Sequence, residues 1–177
     1  PGIEGDNVVT FRSIADVRQL LAGEGPIVVL GGGYLGIEAA AALRARGRAV
    51  TLVHHKPWLL DRQLDAQAGG QLQAALEQRG IRCLLNSGIA AIGKADVTLT
   101  DGQRCAARQV VIAIGVEPEV TLARAAGLPC QRGVLVDGQL RSAVSGVYAV
   151  GECCEHQGET LGLVAPCLAQ AEILAAQ

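Results

Sequence analysis

A glycine-rich segment after a short apolar run has the clearest chemical potential in this sequence. The run 27–30 leads directly into Gly31-Gly32-Gly33-Tyr34-Leu35-Gly36. In the spacing Gly31-x-Gly33-x-x-Gly36, the first glycine permits a tight strand-to-helix turn, the second lets the backbone approach a pyrophosphate, and the third allows close helix packing. Free N–H groups and the dipole at the start of the next helix favour an anion. The segment is predicted to bind a dinucleotide, and the alternative is a turn that only packs.

Side chains near this turn could contact other parts of a nucleotide. A carboxylate at the end of the second strand would hold the ribose of NAD, and a basic residue there would suit the additional phosphate of NADP. This chain has His54-His55-Lys56 at that point, which by itself favours tolerance of NADP, with a solvated basic edge as an equal alternative. Glu38, two residues beyond Gly36, is either a nicotinamide contact or a carboxylate favoured only by the helix dipole.

The elements around the turn predict an α/β fold of the Rossmann type, with a doubly wound parallel sheet. Buried strands are predicted over 27–30, 49–53, 81–85 and 110–114, with helices from the glycine turn to about Gly47 and over 61–78. Short alternating segments at 89–92, 97–100 and 103–107 predict a small antiparallel insert, because Asp101-Gly102 is a strong hairpin signal.

The flanking segments are predicted to belong to a second domain. A capping box at Ser13 opens a short helix that ends at Gly23. After Pro118, we predict a helix over 120–126, strands over 134–136 and 147–150, and a last helix from about Pro166. These elements have few neighbours of their own, so 24–117 is predicted as the nucleotide-binding domain and 1–23 with 118–177 as two parts of another domain.

Composition excludes several classes of function. The net charge of −2 and an aromatic content of 2% give nucleic acid no electrostatic or stacking surface. The longest apolar stretch is interrupted by Gly31–Gly33 and Glu38, and the first ten residues are not a signal peptide, so we expect a soluble, cytoplasmic protein without a membrane span. Because Pro1 is not an initiator, we expect the chain to be cut from a longer protein.

The six cysteines are interpreted as reduced thiols. They include no Cys-x-x-Cys pair and have irregular spacing. Cys153-Cys154-Glu155-His156 could suggest a metal, but adjacent cysteines do not form a relaxed tetrahedral site by themselves. No metal site and no side chain with a catalytic role are predicted.

Four motifs in order resemble the FAD-dependent pyridine nucleotide-disulphide oxidoreductase superfamily over essentially the whole chain. They lie at 1–5, 31–38, 111–118 and 147–152. The resemblance implies that the glycine turn, with Tyr34 and Leu35, binds the pyrophosphate of NAD(P)H. The resemblance further implies that Glu38 lies near the nicotinamide, that Gly115 lines the nucleotide cleft, and that Gly151-Glu152 contacts FAD, with Glu152 replacing the usual aspartate that bonds the ribityl chain.

Within the superfamily, the chain most resembles the flavin-containing part of bacterial NAD(P)H nitrite reductase large subunits. The residues that carry this resemblance lie in His54-x-x-Pro57-x-Leu59-Leu60-x-x-Gln63-Leu64-Asp65, Gly151-Glu152-Cys153 and 162–166. It implies NADH as the main coenzyme despite His54, and iron-sulphur and siroheme modules as electron acceptors. The usual first FAD-binding glycine turn is absent from this sequence, so the chain alone is not expected to bind FAD tightly or to reduce nitrite.

Two alternatives remain open. One is a reductase that passes electrons to rubredoxin or a ferredoxin. The other is a nucleotide-binding or assembly module without turnover, in which 118–177 packs on the first domain or on another copy of the chain in a homo-oligomer.

Overall fold

The computed structural model describes residues 1–176, which divide into two compact units. The first unit spans Pro1–Gly115, and the second begins at Val116. The short segment 1–23 is part of the first unit. Its assignment to a second cofactor domain remains a prediction.

A five-stranded parallel sheet forms the centre of the first unit. Its strands are β1 (Val8–Val9), β2 (Ile27–Leu30), β3 (Val50–Val53), β4 (Ile81–Leu84) and β8 (Gln109–Ile112). The order across the sheet is β1-β8-β2-β3-β4. Three further strands, β5 (Ile89–Ile92), β6 (Asp96–Leu99) and β7 (Arg104–Ala106), form a separate antiparallel sheet. The predicted combination of a parallel sheet with a small antiparallel insert is confirmed.

The two faces of the parallel sheet are covered differently. Helices α1 (Ile14–Ala22), α2 (Tyr34–Ala45) and α3 (Ala66–Gln78) contribute to a core that includes Ile27 and Val29. Val28 points the other way, into a core shared with Val97 and Leu99 of β6. A parallel sheet must be buried on both sides, and here the antiparallel sheet covers the face opposite the helices.

Several predicted boundaries differ from the structure. The helix predicted from residue 61 begins at Ala66, because Asp65 caps it by accepting from the Ala68 N–H at 2.8 Å. The preceding residues form turns around Leu60, whose φ is +53°. The two-residue strand β1 was not predicted, while the helix predicted after Ser13 is confirmed with its capping box.

The second unit contains little regular structure. Helices α4 (Thr121–Ala125) and α5 (Val164–Ala175) accompany one parallel pair, β9 (Val134–Leu135) with β10 (Cys154–Glu155). The strand predicted over 147–150 is wrong: only an isolated bridge from Tyr148 to Arg141 forms there, and a 3-10 helix follows at Gly151–Cys153. Among residues 1–176, no helix combines the length and apolarity needed to cross a bilayer.

The capping box of α1 yields a stability prediction. The Ser13 hydroxyl accepts from the Asp16 N–H at 3.2 Å, and an Asp16 carboxylate oxygen accepts from the Ser13 N–H at 3.0 Å. Ser13→Ala should lower the free energy of unfolding by about 1 kcal/mol. Urea denaturation followed by the fluorescence of Trp58, the only tryptophan, measures this. Ser13→Thr, which keeps the hydroxyl, should retain most of the stability, and an equal loss in both variants would contradict the capping role.

Candidate functional site

The glycine turn lies at the carboxyl end of the parallel sheet, where the direction of the strand order changes. From β2 the chain continues to β3 on one side and later returns to β8 on the other. The Gly31 N–H donates to the Val53 carbonyl at 2.9 Å, and the Ala113 N–H donates to the Leu30 carbonyl at 2.8 Å. Such a switch point is where open α/β sheets bind ligands.

Two of the three spaced glycines are required by the packing of the chain itself. Gly31 has a φ of +122°, and a Cβ there would lie 2.2 Å from the Ala113 carbonyl oxygen. A Cβ on Gly36 would lie 1.9 Å from the Gly31 carbonyl oxygen. The first turn of α2 therefore sits directly against the strand end, as the sequence spacing predicts.

Gly33 is different, because nothing in the chain occupies the space beside it. It is the exposed N-cap residue of α2, its φ of −85° is open to any residue, and a Cβ there would meet no atom within 4 Å. Within the described chain, no side chain caps α2 and no acidic residue lies in its first turn. The open space, the uncapped amides and the positive end of the helix dipole together fit a pyrophosphate.

Exposed side chains surround this end of the sheet. Tyr34 and Leu35 in the first turn of α2 are 46% and 43% exposed, and Glu38 is exposed one turn further on. Ile114, which the sequence analysis did not select, is 65% exposed at the end of β8. Gly115 follows it with a φ of +125°, so this position needs glycine for its backbone.

His54 is buried at the end of β3, and both ring nitrogens have partners within the chain. Its side chain accepts from the Gly32 N–H through Nδ1 at 3.1 Å, while Nε2 lies 3.1 Å from the Asp61 carboxylate. Burial lowers the pKa of His54, against the opposing effect of Asp61. The predicted contact of His54 with a ribose remains a prediction. His55 and Lys56 are exposed.

The predicted flavin-side residues lie together in the second unit. Gly151 has a φ of +85°, and its N–H donates to the Gln170 side chain of α5 at 2.7 Å. Glu152 is exposed in the 3-10 turn, and a Cβ on Gly162 would lie 3.1 Å from one of its carboxylate oxygens. The structure thus brings the segment before α5 close to Glu152.

The cysteines form no disulfide within the described structure. All six are free, and the thiols of Cys153 and Cys154 donate to the carbonyls of Val150 and Gly151. Burial raises the pKa of Cys83 to about 11, so its thiol stays protonated. Within residues 1–176, no three His, Cys, Asp or Glu side chains are grouped to hold a metal ion.

Comparison with known proteins places these features in context. The family described as pyridine nucleotide-disulphide oxidoreductase matches residues 1–171. A nitrite reductase [NAD(P)H] of Bacillus subtilis is 40% identical over 182 residues, which cover 99% of this chain and 23% of that protein. An assimilatory nitrate reductase electron transfer subunit of the same organism is 38% identical, with 99% and 24% covered. The chain thus spans about a quarter of the length of these two relatives.

The fold has equally clear counterparts among solved structures. A ferredoxin reductase from Rhodopseudomonas palustris superposes with a TM-score of 0.91 at 31% identity, covering 99% of this chain and 47% of that one.

The different environments of Gly33 and Gly36 predict opposite effects of one substitution. Gly33→Ser should keep or raise the free energy of unfolding, because a serine at this position can cap α2. Gly36→Ser should lower it by about 2 kcal/mol or more, because its Cβ would collide with the Gly31 carbonyl. Urea denaturation of both variants measures the difference, and a destabilised Gly33→Ser protein would show that the space beside Gly33 is not open.

Burial of His54 predicts a decline in stability at mildly acidic pH. Its pKa lies below the ordinary value of 6.5 in the folded chain, so the unfolded chain binds this proton at higher pH than the folded chain. The contribution of neutral His54 to the free energy of unfolding is complete above the pKa of the unfolded chain. It is lost as the pH falls through the pKa of the folded chain. Urea denaturation between about pH 7.5 and 5 should show this fall, with a smaller slope in His54→Asn. Equal slopes would contradict the assignment to His54.

Proposed function

We propose that this chain is the NAD(P)H-binding part of a larger flavoprotein oxidoreductase. The chain belongs to the pyridine nucleotide-disulphide oxidoreductase family. The observation that carries the proposal is the open space at Gly33 beside the uncapped start of α2. The Gly31 and Gly36 contacts support it, since they hold the turn in the form that a dinucleotide requires.

In this proposal the residues of the first unit bind and orient the coenzyme. The amides from Gly33 to Gly36 hold the pyrophosphate, and Gly33 lets the backbone approach it closely. Tyr34 and Leu35 cover the turn and exclude water, while Gly115 lines the opposite side. The exposed Glu38 carboxylate contacts the nicotinamide end. When bound, NAD(P)H supplies a hydride and FAD accepts it, so the protein contributes position rather than chemistry.

The second unit has a different task in the proposal. Gly151 and Glu152 contact FAD, with the Glu152 carboxylate bonding the ribityl chain. Residues 24–117 form the coenzyme domain, and 1–23 with 118–177 belong to the flavin domain. The motif order supports this division, as does the grouping of Gly151, Glu152 and Gly162 before α5.

The physiological role that we propose is electron supply to nitrite reduction. It is supported by the nitrite reductase and nitrate reductase subunit relatives, and electrons would leave for iron-sulphur and siroheme modules of the whole protein. The six free cysteines support a reducing, cytoplasmic location. A reductase for rubredoxin or a ferredoxin is the second candidate, since a rubredoxin-NAD(+) reductase of Acinetobacter baylyi is 36% identical over 98% of this chain.

Titration with NADH and NADPH, followed by coenzyme fluorescence, tests the binding site. The chain should bind one or both with a Kd between about 1 μM and 1 mM. Gly33→Ser should weaken binding about tenfold or more, because its side chain occupies the phosphate space and competes for the α2 amides.

Gly70→Ser is the matched control for this titration. Gly70 is exposed in α3, and a Cβ there would also meet nothing within 4 Å. This variant should bind like the wild type. Absence of binding by the wild type at millimolar coenzyme, or equal affinity in Gly33→Ser, would overturn the proposed site.

A further inference from the structure

We propose that His54 is a positioning residue, which holds the Gly32 peptide of the nucleotide-binding turn as a neutral imidazole with its proton on Nε2. The expected effect of His54 on coenzyme binding rests on the proposed function. The structural part of the inference, the hydrogen-bonded series Gly32 to His54 to Asp61, stands independently of that function.

The backbone of Gly32 is held at both its N–H and its carbonyl by one segment, which we name the brace and define as residues 54–61. The Gly32 N–H donates to Nδ1 of His54 at 3.1 Å, and the Gly32 carbonyl accepts from the Leu60 N–H at 2.9 Å. The brace therefore fixes the peptide units on both sides of Gly32, the residue that immediately precedes Gly33.

The direction of the first hydrogen bond determines the state of the ring. A backbone N–H can only donate, so Nδ1 must present a lone pair. The proton of the neutral ring then lies on Nε2, where it donates to the Asp61 carboxylate at 3.1 Å. A proton added to Nδ1 would place two donors face to face and break the contact with Gly32.

Packing leaves the His54 ring little freedom to choose another partner. A Cβ on Gly32 would lie 2.6 Å from Cγ of His54 and 2.7 Å from Leu59, so the ring and Leu59 cover this glycine directly. The His54 backbone is fixed as well: its N–H donates to the Leu84 carbonyl at 2.8 Å, and its carbonyl accepts from the Ser87 N–H at 3.0 Å. The ring thus fixes the turn relative to the end of β3.

Burial of the ring outweighs the effect of Asp61 and favours the neutral state on balance. His55, whose ring centroid is 5.2 Å away, and Lys56 oppose protonation, while Asp61 favours it. Burial opposes it most strongly, which gives the His54 pKa its downward direction. The imidazole is therefore available as an acceptor at neutral pH.

Two substitutions separate the two hydrogen bonds of His54. His54→Asn keeps an oxygen acceptor near the position of Nδ1 and loses the partner of Asp61. His54→Gln keeps a donor near the position of Nε2 and loses the acceptor for Gly32. NADH affinity should stay within about twofold of the wild type in His54→Asn and fall about fivefold in His54→Gln, the usual value of one hydrogen bond.

His156→Gln is the control, because His156 lies in the second unit and its Nδ1 is 3.1 Å from the Val136 carbonyl oxygen. It should bind NADH like the wild type. Equal losses in both His54 variants would overturn the positioning role, since a direct ribose contact or general loss of packing does not distinguish the two ends of the ring.

Nitrogen NMR of the full chain tests the tautomer without coenzyme. We expect the shifts of a neutral ring protonated on Nε2, and a Gly32 amide resonance that moves with the titration of His54. A proton on Nδ1, or a Gly32 amide resonance that does not shift as His54 titrates, would overturn the inference. If the wild type failed to bind NADH while the NMR result held, only the proposed function would fail.

Discussion

The first unit depends on one close approach between backbone atoms. The first turn of α2 lies so near the end of β2 that Gly36 has no room for a side chain beside the Gly31 carbonyl, and the Ala113 carbonyl after β8 leaves none at Gly31. This contact sets where α2 begins and therefore where its unpaired amides lie. The strand, the turn and the helix consequently act as one rigid piece, and a binding surface made of backbone N–H groups gains its precision from that rigidity.

Residues of the loop after β3 pack against the glycine turn from the side away from its open space and support it. Leu59 is fully buried, and Trp58 lies over Gly69 of α3, donating from Nε1 to the Leu64 carbonyl at 2.9 Å. The loop after β3 is therefore packed against both the turn and α3. Loops that carry function are usually positioned by a scaffold, and here a loop is itself part of the scaffold.

Much of the first unit could be predicted because its signals are local. The apolar strand β2, the spaced glycines and the Asp101-Gly102 turn each determine conformation over a few residues. The partner of His54 could not be predicted, because Asp61 reaches it only through turns around Leu60, a residue with positive φ that no local rule requires. The strand predicted over 147–150 did not form for a related reason: Tyr148 and Val150 are exposed, and an apolar run does not by itself supply a partner strand.

The antiparallel sheet has a consequence for how this unit could be altered. It fills the connection between β4 and β8, where a parallel sheet ordinarily carries a crossover helix. Its exposed tip at Asp101 and Gly102 lies between β6 and β7, far along the chain from the glycine turn. Surface tips of this kind accept added sequence well. An epitope or a dye-labelled peptide could be grafted there while leaving the architecture of the glycine turn intact.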